Sequence, residues 1–227
     1  MTIGEKPVLA WLGDDFTGAA AVMEVLTFAG LPAVLFLRPP TPERIADFPN
    51  MRGIGVASMA RTFDPERMDA ELPDLFEVLG QTGATLVQYK TCSTLDSAPH
   101  VGSIGKAMDI GSKTFATNTV PVMIAAPEMR RYQVFGQLFA GTDAGVFRLD
   151  RHPVMARHPV TPMDEADVAL HLSAQTRMPM QCLNLEVLTD PERASKLIAT
   201  TRGGITIDQM THADVIAAGD ILWNAEH

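Results

Sequence analysis

Short apolar runs alternate along this chain with longer stretches in which apolar positions recur every three or four residues. The short runs are Val8–Leu12, Ala33–Leu37, Gly53–Ala57, Thr85–Tyr89, Val122–Ala126, Gln181–Leu185 and Gly204–Ile207. They are rich in Val, Ile and Leu and too short for helices, so they read as strands buried on both faces. The longer stretches read as helices: Ala19–Phe28 before Gly30, Asp64–Leu79 before Gly80, one opening over Gly102–Ala107, then Asp164–Gln175, Pro191–Thr201 and Ala213–Trp223. Regular alternation of this kind predicts an α/β fold, a mostly parallel sheet with helices on both faces in a Rossmann-like three-layer arrangement.

One segment breaks the alternation. Tyr132–Asp150 carries two β-rich runs around Gly141, Asp143 and Gly145, which predicts an antiparallel β-hairpin inserted into the frame. The following stretch, RHPVMARHPVTPMDEADVAL, holds its backbone extended at X-Pro steps and is expected to pack across one end of the sheet. No repeat, low-complexity tract or long linker marks a second domain, so residues 1–227 are expected to form one.

Composition narrows the function classes. The 227 residues are 46% hydrophobic, enough to bury a full core, and the net charge of −9 argues against a nucleic-acid or membrane surface. The opening MTIGEKPVLAWLGDD meets acid too soon for a leader peptide or membrane span, so a cytoplasmic protein is expected. Its two cysteines, Cys92 and Cys182, lack His or Cys companions at metal-ligand spacing and are expected to be reduced thiols. His152 and His158, in RHPVMARHP, likewise read as structural loop residues and not metal ligands.

Two stretches carry chemistry. GDDFTG places Asp14 and Asp15 at a strand-to-helix turn, the crevice where open α/β sheets bind ligands. Two negative charges repel a phosphate; they suit accepting hydrogen bonds from substrate hydroxyls, taking a proton, or holding a divalent cation. The plainer alternative is that one aspartate caps the helix while the other is solvated. The second stretch, QYKTCSTLDSAPHVGSIGKAMD, supplies Lys90, Ser93, Thr94, Asp96 and Ser97, then Gly102 and Gly105 at a helix start. Its donors suit a carboxylate or phosphoryl group, unless the hydroxyls merely cap their own helix.

GDDFTGA and YKTCSTLDS resemble the paired signatures of the four-carbon acid sugar kinase family, whose members phosphorylate threonate, erythronate, 3-oxo-tetronates and related acids with ATP. The likeness continues through ARTF at Ala60, APEMRRYQVFGQLFA at Ala126, RHPVTPMDEADV at Arg157 and the terminal ITIDQMTHADVIAAGDILW, and KTCSTLDS is most similar to the 3-oxo-tetronate kinase branch. The resemblance implies the N-terminal acid-sugar-binding domain, with the glycine-rich ATP site in a C-terminal domain that this sequence does not contain. It assigns Asp15 to the reacting hydroxyl, Asp14 to a neighbouring one, Arg61 and Lys90 to the substrate carboxylate, and Ser93 and Thr94 to further hydroxyl contacts. ATP and Mg²⁺ belong to the complete kinase and are not expected on this chain alone. The implied partners are a small sugar acid and the C-terminal domain, in cis or in trans, while a homodimer stays open. Three readings follow: the sugar-binding half of a kinase, a non-catalytic sugar-acid sensor, or a complete small enzyme using its acids with Mg²⁺.

Overall fold

The structure, a computed structural model, describes residues 6–225. The Met1–Glu5 part of the leader-peptide reading lies outside the described residues. In chain order the elements are β1 (Leu9–Gly13), α1 (Phe16–Phe28), β2 (Ala33–Phe36), α2 (Pro42–Ala46), β3 (Gly53–Ala57), α3 (Pro65–Gly80), β4 (Leu86–Lys90) and α4 (Ile104–Thr114). Then follow β5 (Thr119–Val122), β6 (Arg131–Val134), β7 (Gln137–Thr142), β8 (Gly145–Arg148), α5 (Val168–Ser173), β9 (Met180–Leu183), α6 (Leu185–Leu188), α7 (Pro191–Thr200), β10 (Gly203–Ile207) and α8 (His212–Ala225).

Four strands form a parallel sheet in the order β2-β3-β1-β4. In β1, Ala10, Trp11 and Leu12 have no exposed surface, so the strand is buried on both faces. Alternation sends Ala10 and Leu12 to one face, where they join Met68, Leu72, Phe76 and Leu79 of α3. Trp11 points the other way, and its indole N–H donates to Ala19 O of α1 at 3.0 Å. The ring occupies the space over β3: a Cβ on Gly55 would lie 2.1 Å from Trp11 Cε2, which is why that strand carries glycine. The helices therefore cover both faces, as the alternation predicts.

The remaining strands do not extend this sheet. β5, β10 and β9 form a second parallel sheet in that order, packed through Leu183, Ile205 and Ile207 on α6, α7 and α8. β6, β7 and β8 form an antiparallel meander whose Leu138 and Ala140 enter a third cluster with Leu149, Met163 and Val168. The insertion is thus three strands, not two, because Phe135 and Gly136, both at positive φ, make an extra tight turn. Backbone pairing of Gln133 with Gln209 joins the meander to the end of β10.

Two other expectations shift. The strand expected at Val122–Ala126 lies at Thr119–Val122, where Pro121 is tolerated because β5 is an edge strand. The helix expected over Asp164–Gln175 is confined to Val168–Ser173, with Asp167 as its N-cap. The short helices α2 and α6, begun by Thr41 and Asn184 caps, are too brief for periodicity to reveal.

Candidate functional site

The C-terminal ends of β1, β3 and β4 meet at one place. Gly13 pairs with Ala57 on one side and Lys90 on the other, so the residues that follow each strand are brought side by side. Asp14 N donates to Lys90 O at 3.0 Å, Arg61 N donates to Asp14 O at 3.0 Å, and Ser58 reaches Gly13 O through both its N–H (3.0 Å) and its hydroxyl (2.7 Å). Gly13 itself lets α1 approach, because a Cβ there would lie 2.4 Å from that of Ala19.

The two aspartates have separate duties. Asp15 is the N-cap of α1, and its Oδ1 accepts from Gly18 N at 2.7 Å, a favourable place for a carboxylate. Its Oδ2 accepts from Arg61 Nη1 at 2.9 Å, and its side chain keeps 30% of its surface exposed. Asp14 is not solvated. Its side chain is 3% exposed and accepts twice from Arg61, Nε to Oδ2 at 3.1 Å and Nη2 to Oδ1 at 2.7 Å. Burial pushes the Asp14 carboxyl above its ordinary value, against the pull of the Arg61 hydrogen bonds and charge. Burial also acts against the Arg61 charge, but Asp14, with Asp15 behind it, more than offsets that and holds the guanidinium above its usual range.

Arg61 sits on a single 3₁₀ turn, Ala60–Thr62, that follows β3. Gly102 adopts φ +56° against it, where an added Cβ would lie 2.5 Å from Arg61 O, and its N–H donates to Phe63 O at 2.8 Å. Lys90 ends β4 with its ammonium donating to Thr91 O at 2.5 Å, and its charge acts on Asp14. A Cβ on Gly18 would lie 3.8 Å from Lys90 Nζ, which places the ammonium over the first turn of α1.

The loop after β4 presents its hydroxyls unequally. Thr94 is buried, with Oγ1 donating to Asp96 Oδ1 at 2.8 Å and lying 2.9 Å from Cys92 Sγ, so it shapes the loop and does not present its hydroxyl outward. Ser93 is half-buried and its side chain takes no hydrogen-bond partner among the described residues. The start of α4 is not an open anion cradle: Lys106 N is capped by Ser103 Oγ at 3.1 Å, Gly105 N donates to Gln175 Oε1 at 3.3 Å, and the Lys106 ammonium pairs with Asp69 at 2.7 Å. Gly102 and Gly105 serve close backbone approach, against Arg61 and Gln175 respectively.

His152 and His158 hold the loop that carries them, and the start of α8 is closed by its own capping contacts. His152 Nδ1 accepts from Val154 N and Met155 N, and His158 Nδ1 accepts from Thr161 N. Asp214 accepts from Met210 N and Thr211 N at the start of α8, while His212 pairs with Glu128. Asp208, which follows β10 as Asp14 follows β1, is a residue the sequence reading misses. It is fully buried and gathers N–H groups from Gln133, Gly136 and Leu185. The apolar run before it was the available signal.

Fold and site together define a mostly parallel α/β domain with paired acids and cations at its strand ends. The chain belongs to the sugar-binding N-terminal domain family, whose model matches residues 9–227. It is 45% identical over 219 residues to the 3-oxo-isoapionate kinase of Paraburkholderia graminis, covering 95% of this chain and 47% of that protein. It is 28% identical over 225 residues to the 3-oxo-tetronate kinase of Pseudomonas fluorescens, covering 96% and 51%. A Salmonella typhimurium LT2 protein described as a putative tRNA synthase shares the fold with a TM-score of 0.85 at 21% identity, over 96% of this chain and 51% of that one. A Bordetella bronchiseptica domain of unknown function, crystallised with citrate as a domain-swapped dimer, has a TM-score of 0.75 at 19% identity, over 94% and 51%. The chain spans about half the length of the curated relatives it matches. Among the described residues no helix is long and apolar enough to cross a membrane.

Proposed function

We propose that this chain binds a small 3-oxo sugar acid, of the tetronate class, as the substrate-binding half of an ATP-dependent sugar-acid kinase. The observation that carries this reading is the division of labour at Asp15: one carboxylate oxygen is fixed to the helix, the other is held by Arg61, and the side chain still keeps 30% of its surface exposed beside these groups. Phosphoryl transfer is mainly positioning and charge stabilisation, so Asp15 orients the accepting hydroxyl and takes its proton. Asp14 acts through Arg61, holding its plane by the two-fold contact so that the remaining guanidinium N–H groups face a ligand. Lys90 reads the substrate carboxylate, Ser93 adds a hydroxyl contact, and Thr94 contributes through the loop it shapes.

The residues around this strand end do not fit a triphosphate. The glycines at the start of α4 are packed against protein and the first free N–H groups there are already taken, while Asp14 and Asp15 repel phosphate. ATP and Mg²⁺ are therefore assigned to a second domain, supplied in cis or in trans. The test is complementation: the purified chain is mixed with the C-terminal half of a 3-oxo-tetronate kinase and supplied with 3-oxo-tetronate and Mg·ATP. Phosphorylation that needs both halves supports the reading. Phosphorylation by the chain alone overturns it.

A further inference from the structure

The loop that carries Ser93 and Thr94 closes on a buried hub. Ser97 is 3% exposed, and its hydroxyl donates to Leu95 O at 3.0 Å. Leu95 is fully buried yet adopts φ +52°, a left-handed conformation that a leucine keeps only where its surroundings impose it. Ser97 is held in turn by α5 and the turn after it. Gln175 Nε2 donates to Ser97 Oγ at 3.0 Å and lies 2.9 Å from His171 Nε2, which is itself 3.0 Å from Ser97 Oγ. The other end of the same amide, Oε1, accepts from Ser103 Oγ and Gly105 N, both at 3.3 Å.

Gly105 shows that this approach is built in. A Cβ there would lie 2.6 Å from Gln175 Cβ and 2.7 Å from its carbonyl carbon. One amide therefore joins the end of the loop after β4 to the first turn of α4, which begins next to the Gly102 contact with Arg61. We propose that Gln175, with His171, is a positioning residue for sugar-acid binding, bracing the Lys90–Ser97 loop and the Arg61 turn in their binding arrangement. This rests on the reading of Lys90, Ser93 and Arg61 as substrate contacts.

Amide hydrogen exchange of residues 91–98, corrected for intrinsic rates, and calorimetric titration with threonate and 3-oxo-tetronate test this on the 227-residue chain. Gln175→Leu should speed exchange in that segment and weaken binding about tenfold each, the scale of one lost buried hydrogen bond, with exchange over Leu9–Gly13 unchanged. If Gln175→Leu fails to fold, Ser97→Ala should show the same localised loosening. Equal exchange in parent and variants, or loosening spread evenly over the chain, overturns the proposal. Failure of the parent to bind either acid overturns the functional reading instead, while the exchange comparison still decides the brace.

Discussion

Arg61 lies flat across Asp14, donating from Nε at 3.1 Å and from Nη2 at 2.7 Å, and extends its third contact to Asp15 at 2.9 Å. Two adjacent carboxylates can stand at a strand end because one guanidinium serves both. That arrangement leaves Asp15 as the acid a ligand can reach.

Replacing Asp15 separates its two duties. Asp15→Asn keeps an N-cap oxygen for Gly18 N but removes the ionised acceptor, so thermal unfolding should hardly move while sugar-acid affinity falls by about 1–3 kcal/mol. Asp15→Ala should lose the same affinity and about a further 1 kcal/mol of stability with the cap. Calorimetric titration beside thermal melts distinguishes the two variants.

Removing Arg61 strands a buried charge. Arg61→Ala should cost on the order of 3 kcal/mol at neutral pH, because Asp14 loses its hydrogen-bonded cation while staying buried. Burial already holds Asp14 above the usual carboxylate range, and loss of Arg61 pushes it higher. A carboxyl whose folded-state value is raised favours the fold below its unfolded value and loses that contribution as pH rises through the folded one. The deficit of Arg61→Ala relative to the parent should therefore shrink between pH 7 and pH 4.5 in denaturant titrations. A constant deficit contradicts the assignment.

Two glycines should respond in opposite directions to alanine. Gly102 combines φ +56° with backbone atoms of Arg61 where its Cβ would go, so Gly102→Ala should destabilise by about 1–3 kcal/mol and weaken sugar-acid binding through the displaced Arg61 turn. Gly219 lies inside α8 with open space where a methyl group would go, and Gly219→Ala should stabilise by about 0.5–1 kcal/mol. Melting temperatures of the two variants check both signs.

The thiols should be slow to alkylate in the native chain. Burial pushes Cys182 up to about 11 and raises Cys92 as well. At pH 8 the Cys182 thiolate fraction is then about a hundredfold below that of an ordinary cysteine. Iodoacetamide labelling should be correspondingly slower than in denaturant and should quicken as pH rises toward 11. Rapid native labelling of Cys182 at pH 8 contradicts this placement.

The parallel frame was legible because its strands are apolar on both faces: Ala10, Trp11 and Leu12 read as a continuous run and are buried as one. What periodicity could not show was how strands are shared among sheets, since Ile205 and Ile54 carry the same local pattern but sit in different sheets. At the candidate site, Asp14, Asp15 and Lys90 were legible from residue type and position and Arg61 from the family resemblance, and β1, β3 and β4 bring the four together. Their division of labour was not readable, because whether Asp14 faces water or Arg61 is decided by a contact spanning 47 positions. Gln175 was invisible for the same reason: its amide meets Ser97 and Ser103 only after α5 docks on α4.

Calorimetric titration of the purified chain with 3-oxo-tetronate, threonate, the uncharged tetritol and Mg·ATP, with Lys90→Met run alongside, tests whether the strand-end cations read a sugar-acid carboxylate. The sugar acids should bind, the tetritol should bind much more weakly, Lys90→Met should lose that preference, and Mg·ATP should show no measurable binding. Tight Mg·ATP binding, or equal affinity for acid and tetritol in the parent, would contradict that reading.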